Sequence, residues 1–452
     1  MNIKKDWSLW LAGISQAFIL YLIWNHHLII GSEAGNFFYP YIKYQRRLDL
    51  GIALIALTIF FIYISKIEAF IKSSSERKEL LLVLLTYFIG LALECWIRSR
   101  YPFSLAAVIQ DKTATGFYTA ALQSSFSHIL QEFSEFASQF PSAHVQANMP
   151  GKTLFFKILQ MLLNFPSLIG FFIIAISNLT AIIIFYICKE LFRDKLIAWS
   201  ALLLCLFIPA KIQFQPILNT VSPVLIYMSF FLIILSTKKR MKLYSLIAGI
   251  TLFFQFLFDP VPFGLGLIFL AILFRLCTGN NFKIKFCNII LFVTLGFCGA
   301  GILFYALTGF NLVDGFIYCL KDASHFNASM RPYSIWVIEN LKEYVIGAGI
   351  ASSTILLCSI FKLHKMNWKL PAEGNAGIIL AFFVLTILIL NFSGANRGEV
   401  TRLWIFLTPM QALLTAFFCK YNYGKNGFLN PLGASYLQAS ISINSIGFVL
   451  VS

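Results

Sequence analysis

The sequence predicts an all-α polytopic membrane protein with about 12–13 transmembrane helices and with interfacial helices in a long outer loop, and composition and spacing support that class. Of 452 residues, 59% are hydrophobic and only 12% are charged, about half of the roughly 25% that is usual in a soluble domain. The apolar residues form blocks of about 20, enough for a helix to cross about 30 Å of hydrocarbon. Because lipid offers no partner to backbone amides and the blocks lack the alternation of barrel strands, these blocks must be helices.

The apolar blocks divide the chain into four parts. Residues 1–97 hold three N-terminal transmembrane helices, 98–157 form a long loop, 158–420 form a transmembrane core, and 421–452 form a C-terminal segment with a weaker last block. The first block follows two lysines and lacks a small-residue cleavage site, so it is expected to be an uncleaved anchor. The blocks are 8–30, 49–65, 80–97, 166–188, 196–210, 221–236, 243–258, 261–277, 286–308, 344–361, 375–392, 403–419 and 434–451.

The basic residues predict the orientation. With a cytoplasmic N-terminus, the N-terminal tip and six short inner loops hold 21 of the 35 lysines and arginines. This positive-inside bias places the long loops on the extracytoplasmic face of the plasma membrane. It also accounts for the net charge of +16: no basic stripe or RNA-binding motif is present, so no nucleic-acid partner is expected.

Neither a metal nor a cofactor is indicated by the sequence. Most of the nine cysteines lie in or at the ends of apolar blocks, and no CxxC occurs, so a zinc site or a disulfide framework is not expected. No glycine-rich nucleotide motif is present either. The identity of any cofactor, including a divalent metal, is left open.

The long loop from Trp96 to Lys157 contains a candidate catalytic carboxylate. Phe126 to Phe140 shows apolar residues at helical spacing, which suits helices lying on the membrane interface. Asp111 is the acid nearest to the preceding membrane helix, where it is placed to act as a general base on an acceptor hydroxyl. A solvated or helix-capping aspartate is the alternative.

A second cluster closes this loop. His144 and Asn148 share a face if their stretch is helical, and Pro-Gly precedes a new helix expected at about Thr153. Lys152 and the free amides of that helix start are suited to a phosphate. The alternative is a structural Pro-Gly corner with an interfacial lysine.

A third cluster lies before the twelfth block. Arg397, Glu399 and Arg402 crowd the predicted outer end of an apolar helix, where an unpaired charge is costly. Glu399 and Arg402 are three residues apart and can pair on one helical turn, which would leave Arg397 as the better phosphate ligand through its planar fork. A structural ion pair that anchors the helix end is the alternative.

Two further acids attract attention. Glu94 lies near the outer end of the third block, and intramembrane acids are functional candidates by default, although it can also reach the interface. Asp259, in the segment FLFDPVP, is expected to cap a tight turn between two helices.

The order of these elements resembles the GT-C membrane glycosyltransferases, from about Arg98 to Lys420. An outer loop with an early Asp is followed by amphipathic helices, by H-x-x-x-x-x-P-G-x-x-L-F from His144, and by a helix that ends in YICKELFRDKLIAWSALLLCLFIPA. Relatives often show His-x-x-x-His-Pro-Pro-Gly here, and Asn148 and Met149 replace the second His and the first Pro. The segments HFNASMRPYSIW and SGANRGEVTRLWIFLTP resemble the bacterial branch of the same superfamily.

The resemblance implies an enzyme that moves a sugar from a polyprenyl-phosphate donor to a glycan or lipid acceptor on the extracytoplasmic face. Its expected partners are this lipid-linked sugar donor, the acceptor and membrane lipids. The expected catalytic residues are Asp111 and His144. The expected substrate- or phosphate-binding residues are Lys152, His325, Arg331, Tyr333, Arg397, Glu399 and Arg402.

Two other functions remain open from the sequence. The first is a transporter or lipid flippase, a class that often has polar or broken helices at the membrane midplane and two similar halves; no such halves are visible. The second is a non-catalytic protein that retains the GT-C-like fold.

Overall fold

The described part of the chain is almost entirely helical, which confirms the all-α class. The computed structural model describes residues 3–42, 71, 75–112, 114, 116–140, 142–238, 240–277, 282–424 and 426–448, so the predicted block 49–65 lies outside it. One hairpin is formed by β1 (Ile30–Ser32) and β2 (Phe37–Tyr39). The helices are α1 Ile3–Trp24, α2 Glu76–Arg98, α3 Leu105–Gln110, α4 Phe117–Gln123, α5 Phe126–Gln131, α6 Phe133–Gln139, α7 Ala143–Gln146, α8 Gly151–Leu162, α9 Pro166–Phe192, α10 Lys195–Leu206, α11 Pro209–Phe214, α12 Ser222–Ser236, α13 Met241–Phe258, α14 Gly266–Leu276, α15 Phe282–Thr308, α16 Leu312–Met330, α17 Tyr333–Ala348, α18 Ile350–Ile360, α19 Pro371–Ser393, α20 Val400–Leu403, α21 Thr408–Tyr423 and α22 Leu429–Ser445.

The membrane-spanning character of the protein is confirmed. Among the described residues, eight helical segments are long and apolar enough to cross a membrane, and a ninth results when two bent helices are counted together. The predicted count of 12–13 is higher because several blocks form shorter helices: block 261–277 becomes Val261–Leu276, and the last two blocks become α21 and α22, of 16 and 17 residues. The eight segments are Trp7–Trp24, Glu76–Arg98, Pro166–Phe192, Lys195–Phe214, Leu218–Ser236, Met241–Phe258, Phe282–Thr308 and Pro371–Ser393.

The helical segment Lys195–Phe214 forms the centre of the bundle. Its most apolar stretch is buried throughout, because α9 and α21 pack against α10, while α17 and α22 pack against α11. Asp194 caps the start of α10 by accepting hydrogen bonds from the amides of Leu196 and Ile197. The segment therefore sets the positions of the helices that carry the candidate site.

A sharp break separates α17 from α18, where the sequence predicted one continuous block at 344–361. The two helices meet at 112°, and Gly349 between them has a φ of +102°, a conformation that glycine adopts without a Cβ clash. The segment 311–343, which lies between the predicted blocks 286–308 and 344–361, is also mostly helical, because it contains α16 and most of α17. The break places α17 against α11 and α20.

The long loop 98–157 is an ordered layer of short helices. The predicted amphipathic stretch is divided at Glu132, which ends α5 and begins α6. Phe133 and Phe136 are buried in a hydrophobic cluster that also contains Phe156 of α8, whereas Glu132 and Glu135 are exposed, as the spacing predicts. In this layer, α3, which ends at Asp111, packs against α9, and α4 packs against α8.

The β1–β2 hairpin was not predicted. Ile30 pairs with Tyr39 across the two short strands. The fully buried Trp336 at the start of α17 donates a hydrogen bond from Nε1 to the carbonyl of Gly35 at 3.0 Å. The hairpin therefore packs on the same end of α17 as the charged residues described next.

Candidate functional site

Three charged side chains form the centre of the candidate site, and we call them the Arg–Glu triad: Arg331, Glu399 and Arg402. Arg331 directly follows α16, Glu399 precedes α20, and Arg402 lies within α20. Nη2 of Arg331 lies 2.5 Å from Oε1 of Glu399, and Arg402 forms an ion pair with Oε2 of the same carboxylate. The predicted pairing of Glu399 with Arg402 is therefore present, but one carboxylate is shared by two guanidinium groups.

The two arginines, Arg331 and Arg402, keep the carboxyl group of Glu399 ionised. Burial alone would raise the pKa of Glu399, but Arg402 and Arg331 lower that pKa to about 2. The residue has a φ of +57°, which costs a non-glycine residue about 1 kcal/mol or more. The two ion pairs give a physical reason for a glutamate at this strained position.

Arg402 connects the triad to the loop that carries Asp111. Its Nη1 donates to the carbonyl of Ala114 at 3.2 Å, and the amide of Ala114 donates to Oδ1 of Asp111 at 2.7 Å. Asp111 also ends α3 and is 9% exposed, so it is a buried carboxylate that caps the loop. Ala114 alone connects this carboxylate to the guanidinium of Arg402 in this chain of hydrogen bonds. The Nε of Arg402 is buried and has no hydrogen-bond partner among the described residues.

His144 lies against the same arginine. Its Nε2 is 3.5 Å from Nη2 of Arg402. Burial lowers the pKa of His144 to about 4, and the nearby cations Arg402 and Lys152 contribute to this shift. His144 is therefore a neutral imidazole at neutral pH, and its ring nitrogen can accept a hydrogen bond beside the triad.

Lys152 is connected to His144 but already has a carboxylate partner. Its Nζ lies 3.1 Å from Oδ2 of Asp259 and 3.0 Å from Oδ1 of Asn148, whose own amide donates to the carbonyl of His144 at 2.8 Å. Lys152 is 2% exposed. α8 begins at Gly151, where a Cβ would lie 2.4 Å from the carbonyl oxygen of Leu257. The Pro-Gly pair thus serves close packing in addition to starting the helix.

Asp259 has two roles, of which the sequence predicted one. Its Oδ1 accepts a hydrogen bond from the amide of Val261 at 3.3 Å, which is the expected turn cap. Its Oδ2 also accepts from the hydroxyl of Ser222 at 2.8 Å and pairs with Lys152. The charge of Lys152 is therefore balanced inside the protein.

The remaining predicted residues lie at the edge of the triad or away from it. Arg397 donates from Nε to Gly394 and from Nη1 to the carbonyls of Asn327 and Arg331, at 2.9–3.2 Å, and its guanidinium lies over the ring of Tyr333. These bonds fix the loop before α20. His325 is exposed on α16, and no described contact joins it to the triad.

This use of Arg397 reverses the sequence-based preference between the two arginines. Three carbonyl contacts occupy Nε and Nη1 of Arg397, whereas Arg402 keeps a buried Nε without a partner among the described residues. Arg402 is therefore the better placed of the two for an incoming anion.

Two residues that the sequence did not single out belong to the same site. Glu343 of α17 is fully buried, and its Oε2 accepts from the amide of Thr401 at 3.2 Å. Tyr39 of β2 is 4% exposed, and burial followed by the charges of Glu343 and Glu399 raises the pKa of its hydroxyl. The sequence did not indicate Tyr39 because its three-residue strand is too short to show a strand pattern. It did not indicate Glu343 because this residue precedes the predicted block 344–361.

A separate charged cluster lies inside the membrane bundle. Lys211 of α11 is 3.1 Å from Oε1 of Glu94 in α2, and Gln215 donates from Nε2 to Oε2 of Glu94 at 2.6 Å. Asn178 of α9 accepts a further hydrogen bond from Lys211 at 2.5 Å. Glu94 was predicted as a candidate, but its partner was not, because Lys211 directly follows the block 196–210.

The triad and its neighbours thus bring together residues from α7, α17, α20 and β2, Arg331 after α16, Glu399 before α20 and the segment around Asp111. Within the described residues, no group of three or more histidine, cysteine or acidic side chains is arranged to hold a metal ion. No family model matches the chain, and no curated protein matches it significantly. The case for a function therefore rests on the chain's own residues.

Proposed function

We propose that the protein is a membrane glycosyltransferase that moves a sugar from a polyprenyl-phosphate donor to a glycan or lipid acceptor on the extracytoplasmic face of the plasma membrane. The observation that carries the proposal is Arg402. It is a buried cation whose Nε has no described partner, in a triad where two guanidinium groups share one carboxylate. Such a site favours an additional anion, and a guanidinium fork fits phosphate oxygens.

The proposed reaction assigns a role to the arginines of the triad and to the residues next to them. Arg402, with Arg331 beside it, holds the phosphate and stabilises the charge that develops on it as the bond to the anomeric carbon breaks. Asp111 accepts the proton of the acceptor hydroxyl as that oxygen attacks the anomeric carbon. The neutral His144 accepts a hydrogen bond near the phosphate, and Lys152 supports the segment through Asn148.

A transporter or lipid flippase is the second candidate, because two features of the bundle favour it. The helix break at Gly349 and the intramembrane Glu94–Lys211 pair are both typical of transport proteins. However, the ammonium of Lys211 and the carboxylate of Glu94 lie 3.1 Å apart and neutralise each other, so the pair offers no net charge to a charged substrate. We therefore rank this function below sugar transfer.

The binding test uses the purified protein in lipid nanodiscs and a short-chain polyprenyl phosphate. We expect Arg402→Gln to weaken binding by about 10- to 100-fold, since a charged hydrogen-bond donor contributes about 1.5–3 kcal/mol. Glu399 keeps Arg331 as a partner in this variant, so the fold is expected to persist. Arg275→Gln is the matched control, because Arg275 binds Asn375 at the predicted cytoplasmic end.

Two outcomes would count against the proposal. Equal loss of binding in both arginine variants would indicate non-specific attraction of the lipid, and the absence of binding to the wild-type protein would remove the proposed donor. Transport of the lipid across liposome membranes without sugar transfer would favour the flippase.

The proposed orientation is tested independently. Ser138 is exposed in the layer of short helices, so Ser138→Cys should react with a membrane-impermeant thiol reagent in intact cells. The native cysteines provide the background, measured in the unsubstituted protein. Labelling only after cell lysis would place the loop in the cytoplasm and contradict the proposed site of reaction.

A further inference from the structure

A pair of buried polar atoms beside the Arg–Glu triad has no partner within the described part of the chain. These atoms are the hydroxyl oxygen of Tyr39 and Oε1 of Glu343. Both side chains are more than nine-tenths buried, at 4% and 0% exposed. A buried polar atom without a hydrogen bond costs about 1–3 kcal/mol, so two of them beside the triad form a candidate site for a ligand with hydrogen-bonding groups.

The packing of the two side chains places them in one region: Tyr39 packs against Phe214 of α11, and both α11 and β1 pack against α17, which carries Glu343. The other oxygen of Glu343 accepts from the amide of Thr401, which directly precedes Arg402. The pKa of the Tyr39 hydroxyl is raised by burial first, then by Glu343 and Glu399, while Arg402 and Arg331 act in the opposite direction. The Tyr39 hydroxyl is thus within the electrostatic reach of the whole triad.

The packing around Tyr39 explains why its hydroxyl does not simply reach solvent. Its ring packs against Phe37, Phe214 and Phe448, with centroids 5.1–6.0 Å apart. Three aromatic neighbours from the hairpin, α11 and the C-terminal segment hold the ring in one orientation. The hydroxyl is therefore fixed, as is expected for a group that binds a ligand.

We infer that Tyr39 and Glu343 form a subsite for sugar hydroxyl groups next to the phosphate-binding Arg402. The inference rests on the proposed function and names the part of the donor that these residues recognise. A carboxylate oxygen accepts a hydrogen bond from a hydroxyl, and a phenol both donates and accepts, so the pair is complementary to the vicinal hydroxyls of a sugar. Neither side chain carries the positive charge that favours a phosphate, which separates this subsite from the one at Arg402.

The test compares two probes on the same purified protein in nanodiscs. The first is a short-chain polyprenyl phosphate, and the second is a panel of the same lipid carrying a hexose, an N-acetylhexosamine or a pentose. The increase in affinity from the first probe to the best member of the panel reports the sugar subsite alone. We expect Tyr39→Phe to reduce this increase by about 3- to 10-fold and Glu343→Gln by about 10- to 100-fold, with affinity for the sugar-free lipid unchanged.

Both substitutions are designed to keep the fold. Glu343→Gln retains an oxygen that can accept from Thr401 and places an amide where the free oxygen was, and Tyr39→Phe removes only the hydroxyl without a described partner. Because that hydroxyl is unpaired in the free protein, Tyr39→Phe should also raise the thermal stability of the protein without ligand. Tyr436→Phe is the matched control: its hydroxyl is likewise buried and without a described partner, and its ring packs on Phe207 in the middle of the bundle.

The outcomes separate this inference from the proposed function. If the sugar-free lipid binds but neither variant changes the sugar-dependent increase, the two atoms hold only water and the subsite is refuted. An equal effect of Tyr436→Phe would also refute it. If neither lipid binds the wild-type protein, the proposed function itself fails.

Discussion

The Arg–Glu triad and the Glu94–Lys211 pair are both buried and both join distant helices, but their charges are balanced differently. In the membrane bundle, one carboxylate meets one ammonium, and the side-chain amides of Asn178 and Gln215 each add one hydrogen bond. In the triad, two guanidinium groups share the carboxylate of Glu399. In the first arrangement the two charges balance, although Nδ2 of Asn178 and Oε1 of Gln215 have no partner among the described residues, whereas the triad has one more positive than negative charge.

This difference indicates separate roles for the two clusters. A buried ion pair stabilises little relative to apolar residues of the same volume, but removal of one partner is costly. The Glu94–Lys211 pair is therefore expected to fix the positions of α2, α9 and α11. The triad is expected to bind an anion, and the variants described next test whether the two clusters can be separated in this way.

The largest expected effect comes from removing a carboxylate charge next to the triad. Asp111→Asn should reduce sugar transfer by about 10²- to 10⁴-fold, the usual contribution of a general base. The Asn side-chain oxygen can still accept from Ala114, so the free energy of unfolding should change by about 1 kcal/mol or less. The measurement is the release of polyprenyl phosphate from a polyprenyl-phosphate hexose in the presence of cell-envelope acceptors.

The same change at Glu94 is the comparison for this experiment. Glu94→Gln should affect stability far more than the rate per folded molecule. Unchanged transfer by Asp111→Asn would show that the proton goes to another group, and a large rate effect of Glu94→Gln in folded protein would remove the distinction between the clusters.

The next largest effect concerns the stability of the membrane bundle. Lys211→Met leaves the carboxylate of Glu94 buried without its cation, so it should lower the free energy of unfolding by about 3–5 kcal/mol. The double variant Glu94→Gln with Lys211→Met contains no buried charge at this position and should recover most of that loss. Denaturation of the purified protein in mixed micelles measures both, and additive losses in the double variant would show that the pair is not coupled.

The sequence predicted those parts of the structure that depend on local patterns. Apolar blocks revealed most of the spanning helices, because hydrocarbon thickness sets helix length, and the spacing of Glu399 and Arg402 revealed their pairing. The break at Gly349 was missed because a block average does not register a single glycine with positive φ. The hairpin was missed because three-residue strands carry too little alternation.

The site was predicted less completely, because its contacts span long distances in the chain. Arg331 and Glu399 are 68 residues apart, and Lys152 and Asp259 are 107 apart. Residue type identified Arg402, His144 and Asp111 as candidates. Only the folded chain shows that Arg402 lies beside His144 and contacts the loop of Asp111, while Arg397 is used by backbone carbonyls.

A smaller effect is expected when Glu399 loses its charge. Glu399→Gln leaves Arg331 and Arg402 without their shared carboxylate and should lower the free energy of unfolding by about 2–3 kcal/mol. An anion that enters the triad should then compensate, so polyprenyl phosphate should raise the melting temperature of this variant more than that of the wild-type protein. Glu94→Gln is the control, since it removes a buried carboxylate that pairs with Lys211 and not with the triad. An equal rise in both variants would contradict the assignment of the anion to the triad.

The smallest expected effect is a pH dependence of the free energy of unfolding that is due to His144, which lies beside the triad. The pKa of His144 is lowered from 6.5 to about 4 in the folded protein, so the unfolded chain takes up this proton first as the pH falls. The free energy of unfolding should therefore be independent of His144 above pH 6.5 and should decrease between about pH 6.5 and 4. Because His144 is partly exposed, we expect a loss of about 1–2 kcal/mol over this window.

The pH range in which His144 affects stability can be separated from the range in which Glu399 does. The pKa of Glu399 is lowered from 4.5 to about 2, so its stabilising contribution is complete above pH 4.5 and is lost only at lower pH. The difference in thermal unfolding between the wild type and a variant without this imidazole, measured between pH 5 and 7, thus reports on His144. His144→Gln, which does not titrate, should flatten the pH dependence in this range, whereas the double variant at Glu94 and Lys211 should retain it. Equal slopes for the wild type and His144→Gln would mean that the imidazole is not held neutral beside Arg402, and the role of His144 as a hydrogen-bond acceptor next to the phosphate would fail with it.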